Sequence, residues 1–245
     1  IEHATEAGAP IVITPPVYYP FAMIVGGTGR TVVNAPLTAE GRFDAESLEK
    51  AFTEAAALGK GGMVLISNPH NPGGAVHTRE ELTMLATLAA KHGIRILSDE
   101  IHAPLSWVPF TPYLTLGEAA ERTGVTISSS SKAWNVAGLK AAFYITQSKK
   151  MQLALKDLPV ALNWRSSILG AFCMATAFKD SRQWLDDAVS QIQENYLFLE
   201  SELPKFLPKA KLTPMGSTYL AWIDISAYKV ADAQKHILEI GKVAL

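Results

Sequence analysis

The chain has 245 residues, of which 48% are hydrophobic and 18% charged, and its formal net charge is −1. The charges are dispersed, so the sequence lacks the basic stripe typical of nucleic-acid-binding proteins and the polybasic cluster that attracts proteins to anionic lipid. No apolar run reaches the length of a membrane span, and the amino end lacks the charged-then-apolar order of a signal peptide. We therefore expect a cytoplasmic protein without a nucleic-acid or membrane partner.

The first part of the chain alternates short apolar or β-branched runs with helical periodicity, which is the pattern of βαβ units around a parallel sheet. Predicted strands span residues 10–14, 62–66, 93–97, 125–128 and 141–145. Predicted helices span residues 19–29, 46–58, 78–92 and 116–122. Thr78 and Glu81 have the spacing of a capping box at the start of the third helix. This order predicts an α/β fold with a mostly parallel sheet flanked by helices.

After residue 145 the pattern is mainly helical, with predicted helices at 149–158, 164–178 and 183–206. Short predicted strands at 211–213 and 219–224 and a helix at 231–240 follow. We expect a large domain over residues 1–190 and the start of a smaller α+β domain over residues 191–245. The chain begins with Ile1, and its last five residues resemble the middle of a strand. We therefore expect both domains to continue in a longer protein.

Polar side chains follow three successive predicted strands. Asn71 lies in a Pro- and Gly-rich turn, Asp99 and His102 follow the next strand, and Ser129 to Lys132 follow the third. Taken singly, each has an ordinary alternative: Asn71 as a turn residue, Asp99 as a helix cap and His102 as a packed histidine. Because ligands bind beyond the carboxyl ends of the strands of an open α/β sheet, their joint occurrence predicts a ligand site.

Lys132 closes a run of four serines and is followed by Gly138 and Lys140. Hydroxyl and backbone N–H groups of such a run can bind an anion, although a Ser-rich turn is often only a solvated loop. A lysine beside a phosphate site suggests a Schiff base, and pyridoxal 5'-phosphate (PLP) enzymes combine such a lysine with an acidic partner. Tyr18, after the first strand, could stack on the cofactor ring, with Tyr19 as the competing candidate.

These segments resemble fold-type I PLP-dependent enzymes of the class I/II aminotransferase superfamily, most closely its cystathionine β-lyase-like (C-S lyase) branch. The most specific segments are residues 67–74, 98–105 and 129–140. The resemblance implies the PLP-dependent transferase-like fold and the following roles. It makes Lys132 the Schiff-base lysine, Asp99 the pyridinium partner, Asn71 the phenolate-oxygen donor, Tyr18 the stacking ring, and Ser129 and Lys140 phosphate ligands, with Ser131 a weaker phosphate candidate. His102 stands where many aminotransferases have a tyrosine, and Lys140 where they often have an arginine.

The resemblance favours a C-S β-lyase that acts on cystathionine or a related cysteine S-conjugate. An aminotransferase is the alternative, because both reactions use the same cofactor residues, and a non-catalytic PLP-fold regulator is a less favoured third. The resemblance also implies a homodimer, a small amino-acid substrate, and a phosphate loop and substrate-binding arginine outside this chain. We expect no metal site, because the histidines lack ligand spacing. Residues 215–219 are interpreted as a turn into a strand, which the resemblance places near the substrate mouth.

Overall fold

The computed structural model describes residues 1–156 and 158–244. The strands are β1 (Pro10–Ile13), β2 (Thr31–Asn34), β3 (Met63–Ser67), β4 (Arg95–Asp99), β5 (Gly124–Ser128), β6 (Phe143–Ile145), β7 (Lys211–Leu212) and β8 (Ile223–Asp224). The helices are α1 (Pro20–Gly27), α2 (Ala45–Ala57), α3 (Arg79–Lys91), α4 (Glu118–Thr123), α5 (Lys149–Lys156), α6 (Val160–Trp164), α7 (Ile168–Asp180), α8 (Arg182–Phe206) and α9 (Ala233–Gly241). Short 3-10 turns lie at Ala103–Leu105, Tyr113–Thr115, Ala137–Leu139 and Ser226–Tyr228.

Six strands form one sheet in the order β2-β1-β3-β4-β5-β6, and β7 pairs with β8 in a separate ribbon. The pairs from β2 to β5 are parallel, and β6 is antiparallel to β5. The α/β fold class with a mostly parallel sheet and flanking helices is therefore confirmed. The parallel pairing places the carboxyl ends of β3, β4 and β5 side by side.

Both faces of the sheet are covered, as expected for parallel strands. Val12, Val64 and Ile96 pack on one face against side chains of α2 and α3, including Phe52 and Leu82. On the other face the alternate strand residues Ile11, Ile13, Met63 and Leu65 pack against Phe21 and Val25 of α1 and Met151 of α5. The central strands are thus held rigidly by two cores, which fixes the positions of the residues that follow them.

The capping box predicted for α3 is present. The Thr78 hydroxyl accepts a hydrogen bond from Glu81 N at 3.3 Å, and the Glu81 carboxylate accepts one from Thr78 N at 2.7 Å. Together these two bonds satisfy backbone N–H groups that have no partner within the helix. The helix therefore begins where the sequence predicts.

Several predicted bounds are wrong. Strand β2 went unpredicted because it is an edge strand with Val33 as its one fully buried residue. The helix predicted at 164–178 is instead α6 followed by α7, because Ser167 caps α7 by accepting from Gly170 N at 3.1 Å. Within 219–224 only Ile223–Asp224 forms a strand.

The interpretation of the last residues as part of a strand is also wrong. Helix α9 continues to Gly241, and Lys242 ends it in the left-handed conformation with φ 56°. Residue 157, within a predicted helix, and residue 245, within the predicted strand, lie outside the described residues. Helix α8 runs without interruption across residue 190, and the domain boundary there remains a prediction.

In the described part of the chain, no helix combines the length and apolarity required for a membrane span.

Candidate active site

The carboxyl ends of β3, β4 and β5 are joined by backbone hydrogen bonds. Asn68 N, after β3, donates to Asp99 O at 2.9 Å, and Glu100 N, after β4, donates to Ile127 O of β5 at 2.9 Å. These bonds continue the sheet register beyond the strands. The segments that carry Asn71, Asp99 and Lys132 therefore begin at one edge of the sheet.

Asp99 ends β4, and its carboxylate is largely buried. Its Oδ1 accepts a hydrogen bond from Ile101 N at 3.1 Å. Burial raises the pKa of Asp99 to about 6, while the bond from Ile101 and the positive charge of Lys132 oppose that rise. Asp99 is therefore mostly ionised at neutral pH.

Lys132 is held by the residues that follow it. Ala133 is buried against Leu105 and against Leu185 of α8. Trp134 Nε1 donates a hydrogen bond to Ser181 O at 3.2 Å, at the start of the same helix. These anchors fix the turn, and the charge of Lys132 acts on both Asp99 and His102.

His102 is buried beside Lys132. Burial lowers the pKa of His102 to about 4, and the charge of Lys132 contributes in the same direction. The imidazole is therefore neutral at neutral pH. Its ring stands edge-on to Tyr219 at a centroid distance of 5.9 Å. Among the described residues, its Nδ1 has no hydrogen-bond partner, so this atom is available to a ligand.

Tyr18 and Asn71 form a second group. Tyr18 N donates to Asn71 O at 2.9 Å, and both residues line a cavity of about 510 Å³ together with Trp222. The Tyr18 ring is supported edge-on by Phe21 at 5.7 Å, while Tyr19 is 74% exposed. Tyr18 is thus the better-supported stacking candidate. No hydrogen bond among residues 1–156 and 158–244 joins these side chains to Lys132.

Ser129, Ser131 and Lys140 form the third group. Ser129 is buried, and its Oγ donates to Ala141 O at 2.6 Å. The same oxygen accepts from Ser131 N at 3.0 Å and lies 2.6 Å from Ser131 Oγ. The bond to Ala141 brings the serines beside Lys140, which is exposed and left-handed with φ 53°. Because the single Ser129 proton is already donated, anion binding by this hydroxyl requires an exchange of partners.

Segment 215–219 connects the group that contains His102 to the turn that carries Asn71. Its interpretation as an ordinary turn did not predict this connection. Gly216 N donates to Gly74 O at 2.9 Å, in the turn that carries Asn71. Ser217, fully buried, donates from Oγ to His102 O at 3.3 Å. No local pattern reveals these bonds, because the partners are more than 100 residues apart in sequence.

Glu100 is a further buried carboxyl, which was not among the residues predicted from the sequence. It follows Asp99 directly and is 5% exposed. Its Oε1 accepts from Tyr113 N at 2.8 Å and from Ser98 Oγ at 3.1 Å. The one available signal was an acidic residue next to a strand-end aspartate.

Three known proteins are similar to this chain in sequence or in fold. The cystathionine beta-lyase of Corynebacterium glutamicum is 36% identical over 248 residues, covering 100% of this chain and 64% of that protein. A Corynebacterium diphtheriae structure assigned as a PLP-dependent beta-cystathionase has a TM-score of 0.91 at 32% identity, covering 100% of this chain and 63% of that one. The PLP-bound C-S lyase from Staphylococcus hominis has a TM-score of 0.83 at 25% identity, covering 96% of this chain and 60% of that one.

The chain thus spans less than two thirds of the length of these relatives. Within it, the family described as aminotransferase class I and II matches residues 2–245. This match covers every element described above, and it confirms the resemblance stated from the sequence. The chain belongs to the aminotransferase class I and II family.

Proposed function

We propose that this protein is a PLP-dependent carbon-sulfur β-lyase that acts on cystathionine or a related cysteine S-conjugate and releases a thiol, pyruvate and ammonia. The buried Asp99 carboxylate interacts with the charge of Lys132 at the carboxyl edge of the sheet, and this pairing of an acid with an amine supports a PLP site. The similarity to the cystathionine beta-lyase of Corynebacterium glutamicum supports the choice of reaction.

The residues present fit PLP. Lys132 would carry the cofactor, Asp99 would face the ring nitrogen and Tyr18 would stack on the ring. Asn71 would donate to the phenolate oxygen. His102 Nδ1, which has no hydrogen-bond partner among the described residues, would offer a second polar atom. Ser129, Ser131 and Lys140 would hold the phosphate. Lys140 lacks the bidentate fork of an arginine, so the hydroxyl and backbone groups must supply direction.

Bound PLP supplies an electron sink for the bonds of the substrate Cα. Lys132 Nζ, free as an amine once the substrate amine has taken its place, would remove the Cα proton as general base. Asp99, ionised at neutral pH, would favour a proton on the ring nitrogen through its negative charge. His102 is neutral, so it adds no positive charge next to Lys132.

An aminotransferase is the second candidate, and the description of the family supports it. The two reactions share the proton removal by Lys132. They differ in whether a leaving group departs from the substrate Cβ or the amino group is passed on to a 2-oxo acid. A transaminase cycle consumes a 2-oxo acid, whereas β-elimination does not.

We infer a homodimer in the cytoplasm that binds a small amino-acid substrate. Charge dispersion and the net charge of −1 support the absence of a nucleic-acid or membrane partner. Sedimentation at micromolar concentration tests the dimer.

The reaction is tested by incubating the protein with PLP and L-cystathionine, without any 2-oxo acid, and measuring pyruvate. We expect continuous pyruvate release, and a Lys132→Ala variant is the control that should release none. If a keto product is released only after a 2-oxo acid is added, the lyase proposal is contradicted and the aminotransferase is supported. Silence under both conditions would contradict both activities for these substrates.

A further inference from the structure

Glu100 is a buried carboxyl without a role in the proposed chemistry. It follows Asp99, yet its side chain contacts Ser98, two residues before it. Because alternate residues of a strand point to the same face, Glu100 lies on the opposite side of β4 from Asp99. The Glu100 side chain therefore lies on the face of the sheet opposite to the Asp99 side chain, at the same end of the strands.

The Glu100 carboxyl joins three elements. Its Oε1 accepts from Ser98 Oγ of β4 at 3.1 Å, from Thr126 Oγ1 of β5 at 3.4 Å and from Tyr113 N at 2.8 Å. Tyr113 is itself fully buried and begins the 3-10 turn that leads to α4. One oxygen atom thus links two neighbouring strands and the turn packed beside them.

The backbone of Glu100 adds further links at the same point. Its N–H donates to Ile127 O at 2.9 Å. Its carbonyl accepts from Ala103 N at 3.0 Å and from Ser128 Oγ at 3.3 Å. Ser128 is the last residue of β5, directly before the turn of Ser129 to Lys132. Glu100 therefore connects the end of the strand that carries Asp99 to the end of the strand that leads to Lys132.

We propose that Glu100 is a positioning residue, which fixes the ends of β4 and β5 and through them the Asp99 carboxylate relative to the Lys132 amine. The proposal rests on the function proposed above. It concerns geometry, because Glu100 hydrogen-bonds neither Asp99 nor Lys132 side chains in the described part of the chain.

The chemistry of the group favours a geometric role over one that needs its charge. Burial, with a smaller contribution from Asp99, raises the pKa of Glu100 to about 7. Both the protonated and the ionised form are therefore accessible near neutral pH, and both keep Oε1 as an acceptor. Glutamine offers a carbonyl oxygen at the same place, whereas alanine offers none.

The test compares Glu100→Gln and Glu100→Ala, with Glu121→Ala on the exposed surface of α4 as the control. The affinity for PLP is measured by titrating its absorbance. We expect Glu100→Ala to weaken PLP binding by about tenfold or more, and Glu100→Gln and the control to stay within about threefold of the parent. The proposal would be overturned if Glu100→Ala bound PLP as tightly as the parent, or if Glu100→Gln lost as much affinity for PLP as Glu100→Ala.

A second arm, without cofactor, separates this proposal from the proposed function. Amide hydrogen exchange of the apoprotein should accelerate at residues 99–102 and 127–132 in Glu100→Ala, and remain at the parent rate in Glu100→Gln. Unchanged exchange in alanine overturns the positioning role. If the parent protein itself fails to bind PLP, the proposed function is contradicted, while the exchange data still decide whether Glu100 fixes the strand ends.

If Glu100→Ala does not fold, the double variant Ser98→Ala, Thr126→Val removes both side-chain donors to Oε1 and leaves the carboxyl and its bond from Tyr113 N in place. We expect a smaller change of the same kind, with faster exchange at the same residues and weaker PLP binding. Parent behaviour in both measurements would overturn the proposal.

Discussion

Burial acts in opposite directions on the two titratable side chains that face Lys132. It raises the pKa of Asp99 to about 6 and lowers the pKa of His102 to about 4. Near pH 7 the acid is therefore charged and the histidine neutral. This combination leaves one carboxylate near the lysine amine, as a site for a protonated ring nitrogen requires.

A buried histidine outside this group makes stability depend on pH. Burial lowers the pKa of His70 from 6.5 to about 3, with a smaller contribution from His77. The unfolded chain therefore binds more protons than the folded protein below pH 6.5. The contribution of His70 to the free energy of unfolding is fully present above that pH and is lost as the pH decreases toward 3. At pH 5 the loss from this residue is about 2 kcal/mol.

Replacing His70 by Phe should remove this contribution. We expect the loss of unfolding free energy between pH 7.5 and pH 5 to shrink by about 2 kcal/mol relative to the parent, as measured by urea denaturation. His236→Phe, on the exposed surface of α9, should leave the loss unchanged. An identical pH dependence in His70→Phe and the parent would rule out His70 as the cause.

The positions of the candidate residues at the ends of strands were predictable, because each residue follows an apolar run in the sequence. Asn71, Asp99 and Lys132 come directly or shortly after β3, β4 and β5. Glu100 was not predictable as a connecting residue, because two of its partners, Tyr113 and Thr126, lie 13 and 26 residues away. Only the folded sheet edge brings them together.

At the scale of elements, the turn that carries Asn71 is packed tightly against segment 215–219. Gly74 has φ +70°, and an added Cβ would lie 2.5 Å from Met215 Cβ and 3.0 Å from Ser217 O. Gly59 also has φ +70°, but an added Cβ there meets nothing within 4 Å. Both glycines therefore have a left-handed backbone, but only at Gly74 would an added Cβ clash with neighbouring atoms.

Replacing each glycine by Ala separates these effects. Both variants should lose about 1 kcal/mol of unfolding free energy from left-handed strain. Gly74→Ala should lose at least about 2 kcal/mol more, because the contact with Met215 and Ser217 must open. Urea denaturation measures both. Equal losses would mean that this contact does not contribute to stability.

Elements with strong local signals were predicted well. The central strands are apolar runs, and α3 has its capping box, so their positions follow from burial and local hydrogen bonding. The edge strand β2 and the two-residue strands β7 and β8 have no such run. Their pairing depends on neighbours that are distant in sequence. Strand β2 therefore went unpredicted and β8 was predicted too long, whereas β7 was predicted to within one residue.

At the scale of the whole molecule, the two helical layers hold the sheet so that polar side chains collect at one edge. The alternation of strands and helices in the sequence predicted this fold class and the edge at which the candidate site residues begin. It did not predict how segment 215–219 reaches that edge, because hydrogen bonds such as Ser217 to His102 follow from the folded path of the chain.

Lys132 is the residue proposed to carry PLP at this edge of the sheet. The protein is incubated with PLP, reduced with borohydride, digested and analysed by peptide mass spectrometry, with Lys132→Ala treated in parallel. We predict a phosphopyridoxyl group on Lys132 of the parent and none on the corresponding peptide of the variant. A stoichiometric adduct on another lysine, or none on Lys132, would contradict the account.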